Sequence, residues 1–493
     1  MPSSSSRRRV RDVAAVTDVP FVLRGRVLDD YCVEHTLGNL QFRMPDASDH
    51  LDEIVLHSRT GMEDLHEITI HDIVEFLGDL GSRLHLATNE HLQHAFDLSV
   101  LASNLSEKVL RSIYEDRLAT FFRSDQILAA VERRLGLGAI EGWQEERTAD
   151  GRDIRVRAFG ARITHVVAGN SPGVSAQTIV RNAVTRGDAI IKTPSNDPFT
   201  AIAILRTMVD LDAGHPVTRH ISAVHWRGGD ATVERVLYSA PHIDKIVAWG
   251  GVAGIKHVAQ FVGPGVELIS LDPKLSISIL GPTTLTEPDV AAEAAQRLAM
   301  DVGLMNQEGC VNARVAYVDI EGVPDADNAV RTFAHEVFDR IQCLPEEFST
   351  PAPRLPAGLR DEIDVAVLTD IPEVVGGGTI AGGVLITWDG RPVDFTAHLY
   401  ARYLNLVPVR GFDQVLDGIS SVNQTCGVYP SWLREKLRDR LALAGVQRIV
   451  TLGGAAANGN NQAIPQDGVE VLRRMCRWIV DEGDPPNRSM ALE

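Results

Sequence analysis

From residue 163 onward, short apolar runs alternate with amphipathic stretches. "ITHVV" leads through a loop, "AGNSPG", into "VSAQTIVRNAVTRG", whose apolar positions recur at helical spacing. The strand "DAIIK", a helix from Asp197, the strand "ISAVHW" and a helix from Asp230 follow. Then come "KIVAW", the helix "VAGIKHVAQ" and "VELIS". Apolar strands separated by helices predict a parallel, doubly wound α/β sheet covered on both faces. Such sheets bind ligands at the carboxyl ends of their strands. The loops beginning at Ala168, Lys192, Trp226 and Gly250 are therefore expected to face one crevice.

After "GPTTLTEPD" a second αβ series begins. The helix "VAAEAAQRLAMDVG" runs into the loop "NQEGCVNAR", followed by the strand "ARVAYV" and a helix near 326–341. The Gly-rich "VVGGGTIAGG", strands around 383–410, the helices "RGFDQVLDGI" and "PSWLREKLRDRLALAG" and the strand "RIVTL" complete it. Before residue 163 the pattern is less regular. Residues 20–80 read as short strands and turns, and residues 91–135 as helical, with Ser124 or Asp125 as a cap. "GLGAIEG" lacks a preceding strand, so it reads as a helix C-cap followed by a loop rather than a dinucleotide fingerprint. In "EERTADGRDIRVRAF" an Asp150-Gly151 turn joins alternating runs, which predicts a hairpin over 145–160. An ordinary surface hairpin and an oligomer contact fit it equally. The simplest division is a flexible arm over 1–20, a dinucleotide-binding domain over 21–285, a catalytic domain over 286–450 and a C-terminal segment over 451–493. That last segment is expected to return to the cofactor domain or to an oligomer interface.

Composition narrows the function. The chain has 493 residues, 44% of them hydrophobic, and a net charge of −18. An acidic surface argues against nucleic acid and anionic lipid as partners, though not against an anionic cofactor in a local basic pocket. The five cysteines are scattered, without a CxxC pair, so a reducing cytoplasm is expected rather than a disulfide framework. No apolar run reaches membrane-spanning length. No Walker A or HExxH motif is present, and His91 and His94 have no further ligands nearby in sequence, so no metal is expected.

The chemistry points to Cys310. It sits in a predicted loop, after Gly309, among amide side chains rather than the aliphatic residues that usually pack a buried thiol. Asn170 follows a strand, where its amide can donate to a thioester oxygen; a turn residue before Pro172 is the plainer reading. Lys192 ends a strand beside Thr193-Pro194-Ser195, and Gly250-Gly251 opens a helix whose free N–H groups favour phosphate. Each also has a plain structural reading, as a solvated strand end or a tight turn.

The order of these pieces resembles the aldehyde dehydrogenase superfamily: the asparagine after a strand, "KTPS", "HWRGGD", "IVAWGGVAGI" and a cysteine loop near 310. The segments "NQEGCVNARV", "VAWGG" and "IPQDGVEVLRRMCRWI" are most similar to the LuxC-type fatty acyl-CoA reductases. The resemblance implies an aldehyde dehydrogenase-like fold with an oligomerisation ribbon at 145–160, and a dimer or tetramer. It implies Cys310 as the acyl-accepting nucleophile and Asn170 in the oxyanion hole with the backbone N–H of Cys310. Lys192, Ser195, Arg227, Gly250 and Gly251 would line the dinucleotide site, with His398 near the nicotinamide ribose. The implied activity is NADPH-dependent reduction of an acyl-CoA or acyl carrier protein thioester to aldehyde, with an aldehyde-consuming partner enzyme. An oxidising aldehyde dehydrogenase and a non-redox cysteine acyltransferase or thioesterase are the rival readings. Where oxidising relatives carry a glutamate base after the last strand of the cofactor sheet, this chain has Ser270. Glu267, three residues earlier, is expected on the opposite face of that strand.

Overall fold

The predicted alternation folds as a seven-stranded sheet with the order Glu267–Leu271, Lys245–Trp249, Arg162–Val166, Asp188–Lys192, Ile221–Val224, Phe21–Leu23, Arg26–Leu28. The first five strands are parallel, and the hairpin Phe21–Leu28 closes one edge antiparallel. The structure, a computed structural model, describes residues 16–352, 355, 357–376, 381–396, 398–455 and 463–482. The arm expected at the N-terminus lies almost wholly outside the described residues, as does much of the Gly-rich run at 376–380. Each helix joins the sheet through its apolar face. Pro172–Val184, for example, buries Ile179, Val180 and Ala183, each large side chain contributing roughly 1.5–3 kcal/mol.

A second seven-stranded sheet has the order Glu373–Gly376, Gly383–Ile386, Tyr403–Val409, Ala313–Asp319, Leu275–Leu280, Asn423–Tyr429, Arg448–Thr451. Only its Glu373–Gly376 edge is antiparallel. The chain then crosses back. Val471 and Met475 pack on Ile163, Val247 and Ile269 of the first sheet. Arg477–Asp481 pairs antiparallel with Asp153–Phe159 of the hairpin, extending it to three strands.

Several local expectations need correction. The stretch 20–80 is not all strand and turn: Ile70–Arg83 is a helix with a Thr69/Asp72 capping box. Its buried residues Ile70, Ile73, Val74, Leu77 and Leu80 recur at helical spacing, so the period is present in the sequence. Neither Ser124 nor Asp125 caps the helix Ser124–Arg134, whose N-cap is Arg123. Ser124 donates instead to the Val74 carbonyl at 3.4 Å, and Asp125 pairs with Arg123 at 2.9 Å. Gly136 does end that helix, with φ 80° and its N–H on the Val131 carbonyl, but a short helix, Leu137–Glu141, replaces the expected loop. The helix Ala357–Thr369 lies where the apolar pattern predicts none. Among the described residues no helix is long and apolar enough to cross a membrane, and no cluster of His, Cys, Asp and Glu could hold a metal.

Asp301 ties the C-terminal segment to the second sheet. It is 1% exposed and accepts the backbone N–H groups of Gly453 at 2.8 Å and Ala455 at 2.9 Å. Orphaning a buried donor costs about 1–3 kcal/mol, so Asp301→Ala should lower the apparent Tm by several degrees. Burial raises the Asp301 carboxyl to about 6, against those N–H groups, from an ordinary 3.8. A carboxyl with a raised folded-state pKa stabilises most in acid and loses that stabilisation as pH climbs through the raised value. The Tm deficit of the variant should therefore be larger at about pH 5 than at about pH 8, as read by calorimetry.

Candidate active site

The loop carrying Cys310 is built on an unfavourable backbone. After helix Pro288–Gly303, three successive non-glycine residues, Met305, Asn306 and Gln307, take φ of 50°, 52° and 67°. Such left-handed positions cost on the order of 1–3 kcal/mol each. The amide side chains hold them. Gln307 is 0% exposed; its Nε2 donates to the carbonyls of Ala313 and Tyr403, both at 2.8 Å, and its Oε1 accepts from the N–H groups of Arg402 and Tyr403. Asn306 is bound twice to Thr350, and Asn312 donates to the carbonyls of Asp301 and Leu304. Arg314 gathers the carbonyls of Gln307, Gly309, Asn312 and Leu399. The polar neighbours that set Cys310 apart in the sequence are thus the scaffold of its loop. Gly309 is there for packing: its N–H donates to Asn312 Oδ1 at 2.9 Å, and a Cβ would stand 2.8 Å from that oxygen.

Cys310 opens on a cavity of about 1330 Å³ that Asn170, Lys192, Ser195, Gly250 and Gly251 also line. The cavity lies between the carboxyl ends of first-sheet strands and the amino ends of second-sheet strands. Asn170 and Gly250-Gly251 follow Arg162–Val166 and Lys245–Trp249, neighbours at the point where the strand order reverses. Ser276, opening Leu275–Leu280, donates to the Cys310 carbonyl at 2.7 Å. Asn170 Nδ2 donates to the Glu308 carbonyl at 3.1 Å, so the asparagine is held against the cysteine loop. Its Oδ1 is buried without a partner. Ser171 caps the following helix, and Pro172 takes its first turn.

On the other wall, Lys192 is 8% exposed, with Nζ 5.3 Å from the centre of the Trp226 ring. Burial lowers its pKa against the attraction of Glu234. Glu234 is already engaged by Trp226, Gly229 and His257. Ser195 is exposed at the rim. Trp226 is buried beneath Lys192 rather than opening on the cavity. Arg227 and His398 are exposed and stand outside the cavity wall. Near His398 it is Tyr400 that reaches the site, donating its hydroxyl to Glu308 Oε1. Ser270 donates to Asp272, which lines the cavity, while Glu267 is occupied by Lys245 at 2.6 Å and Arg474 at 2.9 Å.

Electrostatics single out residues that the sequence pattern does not mark. Burial and then the Asp467 charge raise the Cys310 thiol, opposed by a hydrogen bond from Gln424, by Arg314 and by the cysteine's own N–H. Burial pushes the Glu308 carboxyl up to about 7, against Arg314. Asp467 is raised by burial and held down by Gln424, Lys274 and Arg181. Gln424 and Asp467 lie in segments that drew notice, "VNQTCGVY" and "IPQDG". Nothing in their spacing groups them with Cys310; Gln424 reaches the cavity with strand Asn423–Tyr429 and Asp467 with the returning C-terminal segment.

This architecture is that of the aldehyde dehydrogenases. NADP-dependent glyceraldehyde-3-phosphate dehydrogenase of Bacillus halodurans superposes with a TM-score of 0.71 at 11% identity, covering 94% of this chain and 98% of its own. Aldehyde dehydrogenase 21 of Physcomitrella patens gives 0.72 at 11% identity, covering 95% and 98%. Within that fold the chain belongs to the acyl-CoA reductase (LuxC) family, whose model matches residues 65–478. It is 25% identical over 446 residues to the long-chain acyl-protein thioester reductase of Aliivibrio fischeri, covering 88% of this chain and 87% of that one. With the enzyme of the same name from Photobacterium phosphoreum it shares 32% over 346 residues, covering 67% and 64%.

Gln307→Leu keeps the side chain's bulk but orphans four backbone groups. At about 1–3 kcal/mol for an orphaned group, without strict additivity, the loop should leave its left-handed course. The expected result is a Tm lowered by several degrees and alkylation kinetics of Cys310 that differ from wild type at matched pH.

Proposed function

We propose that this chain reduces an acyl thioester to the aldehyde, with Cys310 as acyl acceptor and NADPH as reductant. The observation that carries the reading is the meeting of Cys310 and Asn170 with Lys192 and Gly250-Gly251 around one cavity. The residues fit a nicotinamide dinucleotide. The helix Val252–Ala259 has no side-chain cap at Gly251, leaving its first N–H groups for a phosphate. Lys192 is a buried cation whose nearest acid is otherwise engaged. The dinucleotide supplies the hydride.

The protein's own groups do the rest. The Cys310 sulfur attacks the thioester carbonyl and the carrier thiol leaves. Asn170 Nδ2 turns from the Glu308 carbonyl to the substrate oxygen, where negative charge develops. Val174, Leu304, Met305 and Phe348 give the cavity an apolar wall suited to an acyl chain. The related enzymes named above act on long-chain acyl-protein thioesters, and we assign this chain a fatty acyl thioester as well, carried by coenzyme A or a carrier protein. Ser270 in place of a glutamate base disfavours attack by water on the acyl-cysteine. This supports reduction over oxidation to the acid. The aldehyde released is a substrate for an aldehyde-consuming partner enzyme.

Incubation with an acyl-CoA and no cofactor should leave a hydroxylamine-sensitive acyl group on Cys310, found by peptide mass spectrometry. Cys310→Ala should abolish both the adduct and aldehyde formation; an adduct on Cys343 or Cys426 alone would refute the assignment. With NADPH present, aldehyde must appear as nicotinamide absorbance falls. Acyl transfer or hydrolysis without that change would favour the non-redox reading, and faster formation of acid from aldehyde and NADP⁺ the oxidising one.

Cofactor choice follows from the rim. Ser195 puts no carboxylate beside Lys192, so nothing there repels a 2′-phosphate, and the lysine can pair with it. NADPH should give the higher kcat/KM, and Ser195→Glu should lower it for NADPH by about tenfold or more while sparing NADH. Equal kcat/KM for the two cofactors in the wild type would overturn this.

A further inference from the structure

The helix Glu107–Ser112 does not stay regular where it reaches the cavity. It widens into a π-turn, Ile113–Arg117, in which the Leu118 N–H donates to the Ile113 carbonyl, and then tightens into a 3₁₀ turn, Leu118–Phe122. Irregular helical turns of this kind are frequent at functional sites. Ile113, Arg117, Thr120 and Phe121 all line the cavity. The segment touches both halves of the site. Phe121 packs closely on the helix that follows Asn170: a Cβ at Gly173 would stand 2.8 Å from its ring. The Arg117 guanidinium lies 5.5 Å from the centre of the Phe348 ring. The Phe348 carbonyl in turn accepts the Met305 N–H of the Cys310 loop at 2.8 Å.

Arg117 is half-buried. Among the described residues its side chain has no ion pair and no hydrogen bond, and the acid that acts on it is its exposed neighbour Asp116. The other charges around it are paired among themselves: Lys108 with Glu346, Arg111 with Glu107 and Glu115, Arg123 with Asp125. The Phe348 face orients the guanidinium without neutralising it. A planar guanidinium held in this way suits a phosphate, which it can bind through two parallel hydrogen bonds. The wall beside it, Val174, Leu304, Met305 and Phe348, is apolar. An acyl chain can cover that wall but offers Arg117 no acceptor, so the acceptor must come from the other branch of the thioester, the carrier. With the dinucleotide assigned to the end marked by Lys192 and Gly250-Gly251, this mouth is left for the carrier arm. We infer that Arg117 is a phosphate subsite for the acyl carrier: it binds the phosphate of a phosphopantetheine arm, the group common to coenzyme A and carrier proteins. The inference rests on the reading that Cys310 takes its acyl group from a thioester.

The test varies the carrier while the acyl group is held constant. Acylation is read as thiol released without cofactor, from acyl-pantetheine, which lacks the phosphate, and from acyl-4′-phosphopantetheine, which carries it. The wild type should use the phosphate-bearing donor with a second-order rate constant about tenfold higher or more, the scale of one charge-assisted contact. Arg117→Gln should bring the two donors to within about threefold of each other, mostly by slowing the phosphate-bearing one. Arg117→Lys keeps the charge and the apolar stem but not the fork, and should show an intermediate preference; it guards against a folding failure of the glutamine variant. Acyl-CoA and an acyl carrier protein then separate the sources of the arm: the donor whose rate falls further in Arg117→Gln is the one the subsite serves. Equal rates with and without the phosphate in the wild type would overturn the inference. So would a preference that survives in Arg117→Gln, or a loss of both donors alike in both variants. Failure of the wild type to release thiol from any donor would instead overturn the function proposed above.

Discussion

Every functional statement about this site depends on one constraint, the left-handed run Met305–Gln307 and the amides that hold it. No regular ladder serves a segment of that shape: the Met305 N–H donates to the Phe348 carbonyl, the Met305 carbonyl accepts from the Glu308 N–H and the Gln307 carbonyl from Arg314, while the Gln307 and Asn312 side chains pin the loop to the chain around it. The loop also reaches outward: Gln307 to Tyr403 and Asn306 to Thr350. The cysteine is therefore fixed relative to both the second sheet and the chain that crosses beneath it. A side chain held this way keeps its orientation to Asn170, as the acyl acceptor proposed above would need in order to react with little freedom to lose.

The first sheet was the most legible part. Its central strands are buried on both faces and read as plain apolar runs, and the returning helices announce themselves by period. The hairpin was legible from Asp150-Gly151, where Gly151 takes φ 84°. What escaped was structure whose logic is tertiary. The edge strands Phe21–Leu23 and Arg26–Leu28, three residues each, are too short to signal a sheet.

The site divides the same way. Residues that follow strands, namely Asn170, Lys192 and Gly250-Gly251, could be found because topology puts strand ends together. Cys310 could be found because its neighbours are wrong for a packed thiol, although those neighbours serve the loop rather than the substrate. Gln424 and Asp467 could not, since the first reads as an ordinary strand residue and the second as a turn aspartate. Arg227 and His398 rested on resemblance alone, and the local chain course carries both to the surface. Tyr400, two residues beyond His398, bonds Glu308 at the cavity instead.

Charge placement joins these threads. The chain carries −18 overall, yet Arg117, Arg181, Lys192, Lys274, Arg314 and Arg448 all line one cavity. Concentrating cations there in an acidic protein focuses the field on anionic ligands and weakens attachment to polyanions elsewhere. The price is desolvation, and it appears in the lowered pKa values of Arg181, Lys192, Arg314 and Arg448. Arg314 and Arg448 meet that cost by binding backbone carbonyls. Among the described residues Lys192 has the Trp226 face and the attraction of Glu234, itself held by Trp226, Gly229 and His257. A phosphate reaching Lys192 would restore the interactions that burial removed, so this lysine, more than the arginines, has charge still to be satisfied by a ligand.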